Sequence, residues 1–136
     1  MFSLYYEPRH NVVMTRITGV LSSEDIEQHD RAVLMFLAGL FASSNKVRGI
    51  YDFSAVETVA IPISKTYQRA QRPAIIEGPR VVVAPPGAAG FEWATIMAQQ
   101  QRAAGLREPT IVATLEEACL LFGIDNPRFD LADAAL

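Results

Sequence analysis

The sequence predicts an α/β fold, and three observations lead to this prediction. Short runs rich in valine, isoleucine and tyrosine alternate with longer segments whose apolar residues have helical spacing. One run, Arg80–Ala84, is β-branched in the way typical of a strand buried on both faces. Strands that alternate with helices imply right-handed crossovers and parallel pairing. We therefore expect a mixed sheet of about five strands, antiparallel at an N-terminal β-hairpin, with four helices packed against it.

The N-terminal part of the chain predicts a β-hairpin followed by a helix. Strands at Ser3–Glu7 and Val12–Thr18 flank the turn-forming segment Pro8–Asn11. Ser22 can cap the helix by accepting the amide hydrogen of Asp25. Apolar residues at helical spacing then predict its buried stripe: Ile26, Val33, Phe36, Leu37 and Leu40.

The central strand of the sheet is expected at Val47–Phe53, and the chain is organised around it. Asp52 places a carboxylate near the carboxyl end of this strand. In open α/β sheets, ligands and partners dock at the carboxyl ends of the strands. A short helix near Ile63–Arg72 is expected to follow, closed by Pro73.

The remaining elements are one long helix, a last strand and a fourth helix. The long helix is expected from about Ala88 to Ala104, and the strand at Pro109–Ala113. Thr114 begins a capping box for the fourth helix. We expect residues 1–123 to form a single domain, and residues 124–136, which have no clear period, to form a C-terminal tail.

Composition restricts the class of protein. The 136 residues carry a net charge of −3, which argues against a general binder of nucleic-acid phosphates. A single cysteine, Cys119, excludes an internal disulfide and favours a reducing compartment. No apolar run reaches the roughly 18 residues of a membrane span. We therefore expect a cytoplasmic protein with no nucleic-acid partner and no membrane span.

Three short segments give the chain a family resemblance. Gly19–Asp25 follows the hairpin, Tyr51–Val56 sits like the strand-plus-turn "DLSGV" of a known domain, and Thr114–Ala118 opens the closing helix. With the order of elements, these segments resemble the SpoIIAA-like branch of the STAS superfamily, the sulfate-transporter and anti-anti-sigma-factor domains. The resemblance covers about residues 3–123. It implies the STAS fold and a binding or regulatory role rather than catalysis.

The chain departs from that family at its phosphorylation site. In the family that the chain resembles, anti-anti-sigma factors carry an Asp-Ser-Ser-Gly segment whose serine is phosphorylated. The aligned residues here are Ala60–Ile63, which contain no hydroxyl group. We therefore do not expect the phosphorylation switch in this protein.

Asp52, followed by Ser54, is the best single candidate for a ligand-binding or partner-binding side chain. A parallel strand would deliver it to a crevice at the sheet edge. The alternative is that Asp52 accepts backbone amide hydrogens in a turn, and we favour this alternative.

Two glycines mark a second candidate site. Gly87 and Gly90 join a strand to a helix start, where free amide hydrogens can bind an anion or a small ligand. The segment lacks the spacing of the known phosphate-binding loops. We favour the alternative that these glycines permit a tight turn and close packing.

Two further candidates concern an aromatic and a histidine. Trp93, the single tryptophan, is expected on a helix flank, where it can line a pocket or a subunit interface or pack in the core. Asp25 and His29 lie four residues apart and could begin a metal site, but we favour an exposed ion pair there.

The sequence thus predicts a non-enzymatic, STAS-like binding or regulatory module that engages a protein partner or a small ligand. Its docking surface would comprise the second helix and the Asp52 region, and a homodimer fits this role. No metal or cofactor is expected. Two alternatives remain open: an apolar-ligand or lipid-binding domain with a pocket bounded by Tyr51, Phe53, Tyr67 and Trp93, and a small enzyme that uses Asp52 as a base.

Overall fold

The computed structural model describes residues 1–40 and 46–132, and these form one mixed sheet with four helices. The described strands are β1 (Phe2–Glu7), β2 (Val12–Ser22), β3 (Arg48–Ala60), β4 (Arg80–Val83), β5 (Thr110–Val112) and β6 (Asp130–Leu131). The described helices are α1 (Ser23–Leu40), α2 (Ile63–Ala70), α3 (Ala89–Ala103) and α4 (Leu115–Phe122). The predicted α/β class is therefore confirmed.

The strand order across the sheet is β5-β4-β3-β2-β1-β6. Strands β2 to β5 run parallel, while β1 is antiparallel to both β2 and β6. The predicted N-terminal hairpin and the central position of β3 are confirmed. Helical crossovers bring β3, β4 and β5 into the sheet in chain order, as the alternation of strands and helices requires.

The prediction of about five strands is wrong, because the described residues contain six. The sixth, β6, lies in the segment that the sequence assigned to a tail. Asp130 and Leu131 pair with Tyr6 and Tyr5, and the Ala132 amide donates to the Leu4 carbonyl at 2.7 Å. A strand of two residues is too short to leave a period in the sequence.

Strands β2 and β3 are both longer than the sequence indicated. The sequence predicts that β2 ends at Thr18, but Gly19, with φ of +72°, permits an irregularity in the pairing, and the strand continues to Ser22. β3, predicted to end at Phe53, instead extends to Ala60, and its pairing with β2 contains two register irregularities. Asp52 therefore lies within a strand rather than at its carboxyl end.

The buried apolar residues form three clusters, and the sheet lies between two of them. Helices α1, α2 and α3 cover one face, where Phe53 packs with Trp93 and Met97. Helix α4 covers the opposite face, where Ile50 packs with Phe122. Because side chains alternate along a strand, successive β3 residues face different helices.

The N-terminal caps predicted for α1 and α4 are confirmed. The Ser22 hydroxyl accepts the Asp25 amide hydrogen at 3.2 Å, and the Thr114 hydroxyl accepts that of Glu117 at 3.2 Å. Gly123 adopts φ of +68° and closes α4.

Gly90 allows α3 to approach β3 closely, and we predict that Gly90→Ala destabilises the protein. A Cβ atom at Gly90 would lie 2.8 Å from Phe53 Cβ and 3.0 Å from the Phe53 carbonyl oxygen. Relieving this overlap should cost about 1–3 kcal/mol of unfolding free energy, measured by urea denaturation.

Gly39→Ala is the matched control, since a Cβ atom at this exposed position in α1 meets nothing within 4 Å. It should raise the unfolding free energy by about 0.5–1 kcal/mol. Equal effects of the two substitutions would contradict the close contact between α3 and β3.

Candidate ligand-binding cavity

A cavity of about 310 Å³ lies between the sheet and helices α1, α2 and α3. The apolar residues that line it come from the sheet, α1 and α3: Ile17, Ile26, Val33, Leu34, Tyr51, Phe53, Val82, Trp93, Ala94 and Met97. The polar residues that line it are His29, Asp30, Arg69, Arg72, Arg80 and Gln101. The remaining lining residues are Pro73, Ala74, Ile75 and Pro109. An apolar cavity with a few convergent polar groups is the usual form of a small-molecule site.

Aromatic rings form the apolar part of the cavity wall. Tyr51 and Phe53 lie on one face of β3, with their ring centroids 6.4 Å apart. The Phe53 and Trp93 rings are tilted against each other at 5.7 Å. The Trp93 indole nitrogen donates a hydrogen bond to the Thr66 hydroxyl at 3.1 Å. Because that bond satisfies its only polar atom, the indole presents an apolar surface to the cavity.

A chain of hydrogen bonds connects β2, α1 and α2 beside the cavity. The Thr15 hydroxyl lies 2.7 Å from His29 Nε2, and His29 Nδ1 lies 3.2 Å from Asp30 Oδ1. Arg69 donates to both oxygens of Asp30, with Nη2 at 2.9 Å from Oδ1. A carboxylate only accepts, so His29 Nδ1 is the donor to Asp30.

The Asp30 carboxylate remains ionised within this chain. Burial acts to raise its pKa, but the hydrogen bonds from His29 and Arg69, with the Arg69 charge, outweigh burial and lower the pKa to about 2. Two parallel N–H···O bonds make the Arg69–Asp30 contact specific in direction as well as in charge.

A second set of polar side chains, Arg80 and Tyr51, lies near the beginning of β4. Gly49 pairs with Arg80, and a Cβ atom at Gly49 would lie 3.6 Å from Arg80 Cγ and 3.3 Å from Tyr51 Cε2. The missing side chain thus leaves room for the Arg80 stem and the Tyr51 ring. Burial lowers the pKa of Arg80 and raises the pKa of the Tyr51 phenol. Arg80 remains a cation because an arginine side chain is not deprotonated in proteins, and the raised pKa keeps Tyr51 a neutral donor.

Gln101 contributes a buried amide from the last turn of α3. Its exposed fraction is 6%, and its Oε1 atom has no hydrogen-bond partner among the residues that the structure describes. A buried carbonyl oxygen without a donor is energetically costly. The side chain lines the cavity, so a donor on a bound molecule or water could satisfy it.

Asp52 and Ser54 lie outside this cavity. Asp52 is 4% exposed and accepts from the Ser54 amide at 3.0 Å and from the Ser54 hydroxyl at 2.6 Å. Arg16 Nε donates to its other oxygen at 3.1 Å. Asp52 is one residue from Tyr51 and Phe53 along the strand, so its side chain points to the opposite face of the sheet. These bonds correspond to the Asx-type role that the sequence analysis favoured.

The other sequence candidates divide between the cavity and the surface. Trp93 lines the cavity and is 8% exposed. Tyr67 is 42% exposed and does not line the cavity. Of the four aromatic residues predicted to bound an apolar pocket, the other three therefore line the cavity. Gly87, with φ of +87°, and Gly90 lie at the start of α3, where Gly90 contacts Phe53 rather than the cavity.

Sequence reasoning missed most of the polar lining. The interpretation of His29 as part of an exposed ion pair is wrong, because its exposed fraction is 3%. A signal was present: His29 lies three residues after Ile26 and four before Val33, on the buried stripe of α1. Arg69, Arg80 and Gln101 gave no comparable signal, since each belongs to a different element.

The hydrogen-bond chain does not provide a nucleophile for catalysis. A hydroxyl, an imidazole and a carboxylate follow one another as in a hydrolase triad. However, Thr15 is 1% exposed and does not line the cavity, so a substrate there cannot reach its hydroxyl. Within residues 1–40 and 46–132, no cluster of three or more histidine, cysteine or acidic side chains is arranged to hold a metal ion.

Comparison with models of protein families and with curated protein sequences gives no match. In the described part of the chain, no helix combines the length and apolar content needed to cross a membrane.

We predict that Asp30 contributes a pH-dependent part of the stability. Its pKa in the folded state, about 2, is below its ordinary value of 3.8, so the contribution is complete above pH 4 and is lost as pH falls through 2. The difference in unfolding free energy between the wild type and Asp30→Asn should shrink by about 2 kcal/mol between pH 5 and pH 2. Urea denaturation at several pH values measures it.

Glu108→Gln is the control, since Glu108 also binds an arginine, Arg102, but at the solvent-exposed surface. Its effect should change much less over the same pH range. A wild-type to Asp30→Asn difference that stays constant with pH would show that the buried pairing is absent.

Proposed function

We propose that this chain is a non-enzymatic, STAS-like binding module whose ligand is an apolar small molecule held between the sheet and helices α1, α2 and α3. The cavity is the observation that carries the proposal. Its wall is largely aromatic and aliphatic, and three helices and the sheet contribute to it. The hairpin followed by alternating helices and parallel strands supports the STAS-like part of the proposal.

The volume of the cavity indicates the size of the ligand. A cavity of about 150 Å³ lined by apolar side chains accepts benzene. This cavity, at about 310 Å³, is roughly twice as large. It suits a molecule of about 10 to 14 non-hydrogen atoms, for which affinities between millimolar and micromolar are reasonable.

The cavity favours the small ligand over the other expected roles. Asp52, the base that an enzyme would use, is bound by Ser54 and Arg16 on the opposite face of the sheet. A protein partner, a homodimer and a cytoplasmic location stay predictions from the sequence. A small-molecule ligand has the direct support of an internal space with converging polar groups.

We predict that octan-1-ol or octanoate binds saturably below about 1 mM and changes the fluorescence of the protein. Trp93 is the single tryptophan and lines the cavity, so its emission reports on the occupied space. Ala94→Leu adds three carbon atoms to the cavity wall and should weaken binding at least tenfold.

Ala103→Leu is the matched control, because Ala103 is an exposed residue of the same helix. It should leave binding within twofold of the wild type. The proposal fails if neither probe binds, or if Ala94→Leu, shown to be folded by circular dichroism, binds both probes as well as the wild type does.

A further inference from the structure

The polar part of the cavity carries an uncompensated positive charge. Arg69 and Asp30 form a bidentate pair and neutralise each other. No ion pair in the described part of the chain includes Arg80, which is half-buried. Arg80 therefore contributes a positive charge to the cavity that no described carboxylate neutralises.

Arg80 retains donors that can bind a ligand. Its Nη2 atom donates to the Arg107 carbonyl oxygen, which uses one of five N–H groups. The Tyr51 ring lies beside the arginine stem over Gly49, and the phenol is a further donor. Gln101 adds an amide that is more than nine-tenths buried, faces the cavity and lacks a partner at Oε1. Arg80 and Tyr51 thus offer donors to a ligand, while Gln101 Oε1 needs a donor that a carboxylate does not supply, such as water.

We propose that the ligand is an apolar organic acid with a single negative charge, whose carboxylate binds Arg80 while its apolar part lies against Phe53 and Trp93. This inference rests on the proposed function and names the chemical class of the ligand. A planar guanidinium matches a carboxylate with two parallel hydrogen bonds. The arrangement places charge near Arg80 and apolar surface near the aromatic rings.

Charge balance favours a monoanion over a phosphate monoester. One carboxylate neutralises the charge of Arg80, whereas a dianion would carry a second negative charge that Arg80 does not neutralise. Arg72 also lines the cavity, but it is exposed, so solvent and salt screen its charge. The buried part of the site therefore selects for one negative charge.

The test compares ligands of equal chain length by isothermal titration calorimetry at pH 7 on the full chain. Octanoate should bind at least tenfold more tightly than octan-1-ol, since hydrogen bonds between charged partners are worth about that much. Octyl phosphate, which has the same chain and a dianionic head, should bind more weakly than octanoate.

Variants assign the preference to a residue. Arg80→Gln should reduce the preference for octanoate over octan-1-ol to within about twofold, while Arg80→Lys keeps the charge and should lose part of the preference. Arg128→Gln removes the same charge from an exposed position and should behave as the wild type. If Arg80→Gln does not fold, Arg80→Lys alone tests whether Arg80 binds the carboxylate. An unaltered preference for octanoate over octan-1-ol in Arg80→Lys overturns the assignment to Arg80.

The possible outcomes separate the two proposals. Equal binding of octanoate and octan-1-ol, or a preference that persists in folded Arg80→Gln, overturns the inference that the ligand is an organic acid. Either result leaves the apolar-ligand function intact. Tighter binding of octyl phosphate than of octanoate overturns the inference that the ligand carries a single negative charge. Binding of none of the three probes removes the proposed function and this inference together.

Discussion

The bidentate contact between Arg69 and Asp30 is the interaction on which the candidate site depends. It joins α1 to α2, and His29 extends the connection to Thr15 on β2. A buried ion pair is a weak source of stability, because desolvation offsets much of the attraction. Its value here is geometric: two parallel hydrogen bonds fix where the two helices stand above the sheet. The cavity occupies the space that this arrangement leaves.

Close backbone approach determines the other walls of the cavity. Gly90 lets α3 rest against the Phe53 backbone, with no room for a Cβ atom. Gly49 leaves the space above β3 to Tyr51, Ile76 and the stem of Arg80. Interiors are normally packed to the density of organic crystals, so a space of this size next to tight contacts is a specific feature. It combines aromatic walls with a cation whose charge no described carboxylate neutralises.

Local signals in the sequence were sufficient to predict the class and most elements of the fold. The α1 cap at Ser22, the α4 cap at Thr114 and the β-branched run at β4 each follow from a few neighbouring residues. The extension of β3 to Ala60 was missed because Ser54 and Ala55 look like a turn, whereas pairing with β2 resumes at Ala55 and continues to Ala60. β6 was missed for a similar reason, because pairing with β1, and not a local sequence pattern, makes this segment a strand.

The candidate site was less predictable because it is assembled from distant parts of the chain. Trp93 was recognised as a possible pocket residue, and Asp52 was given an alternative turn role that its hydrogen bonds now match. The polar lining, by contrast, unites Asp30 with Arg69 and places Arg80 beside Tyr51. No spacing rule connects residues that meet only through the sheet and two helix crossovers.

Intermolecular nuclear Overhauser effects between bound octanoate and the protein test the central claim most directly. The claim is that a ligand lies inside the molecule, with its apolar end among the aromatic rings. The account predicts contacts from the terminal methyl group to the rings of Phe53 and Trp93, and from the carbon next to the carboxylate to Tyr51. Contacts confined to exposed side chains such as Tyr67, with none to Trp93, would contradict it.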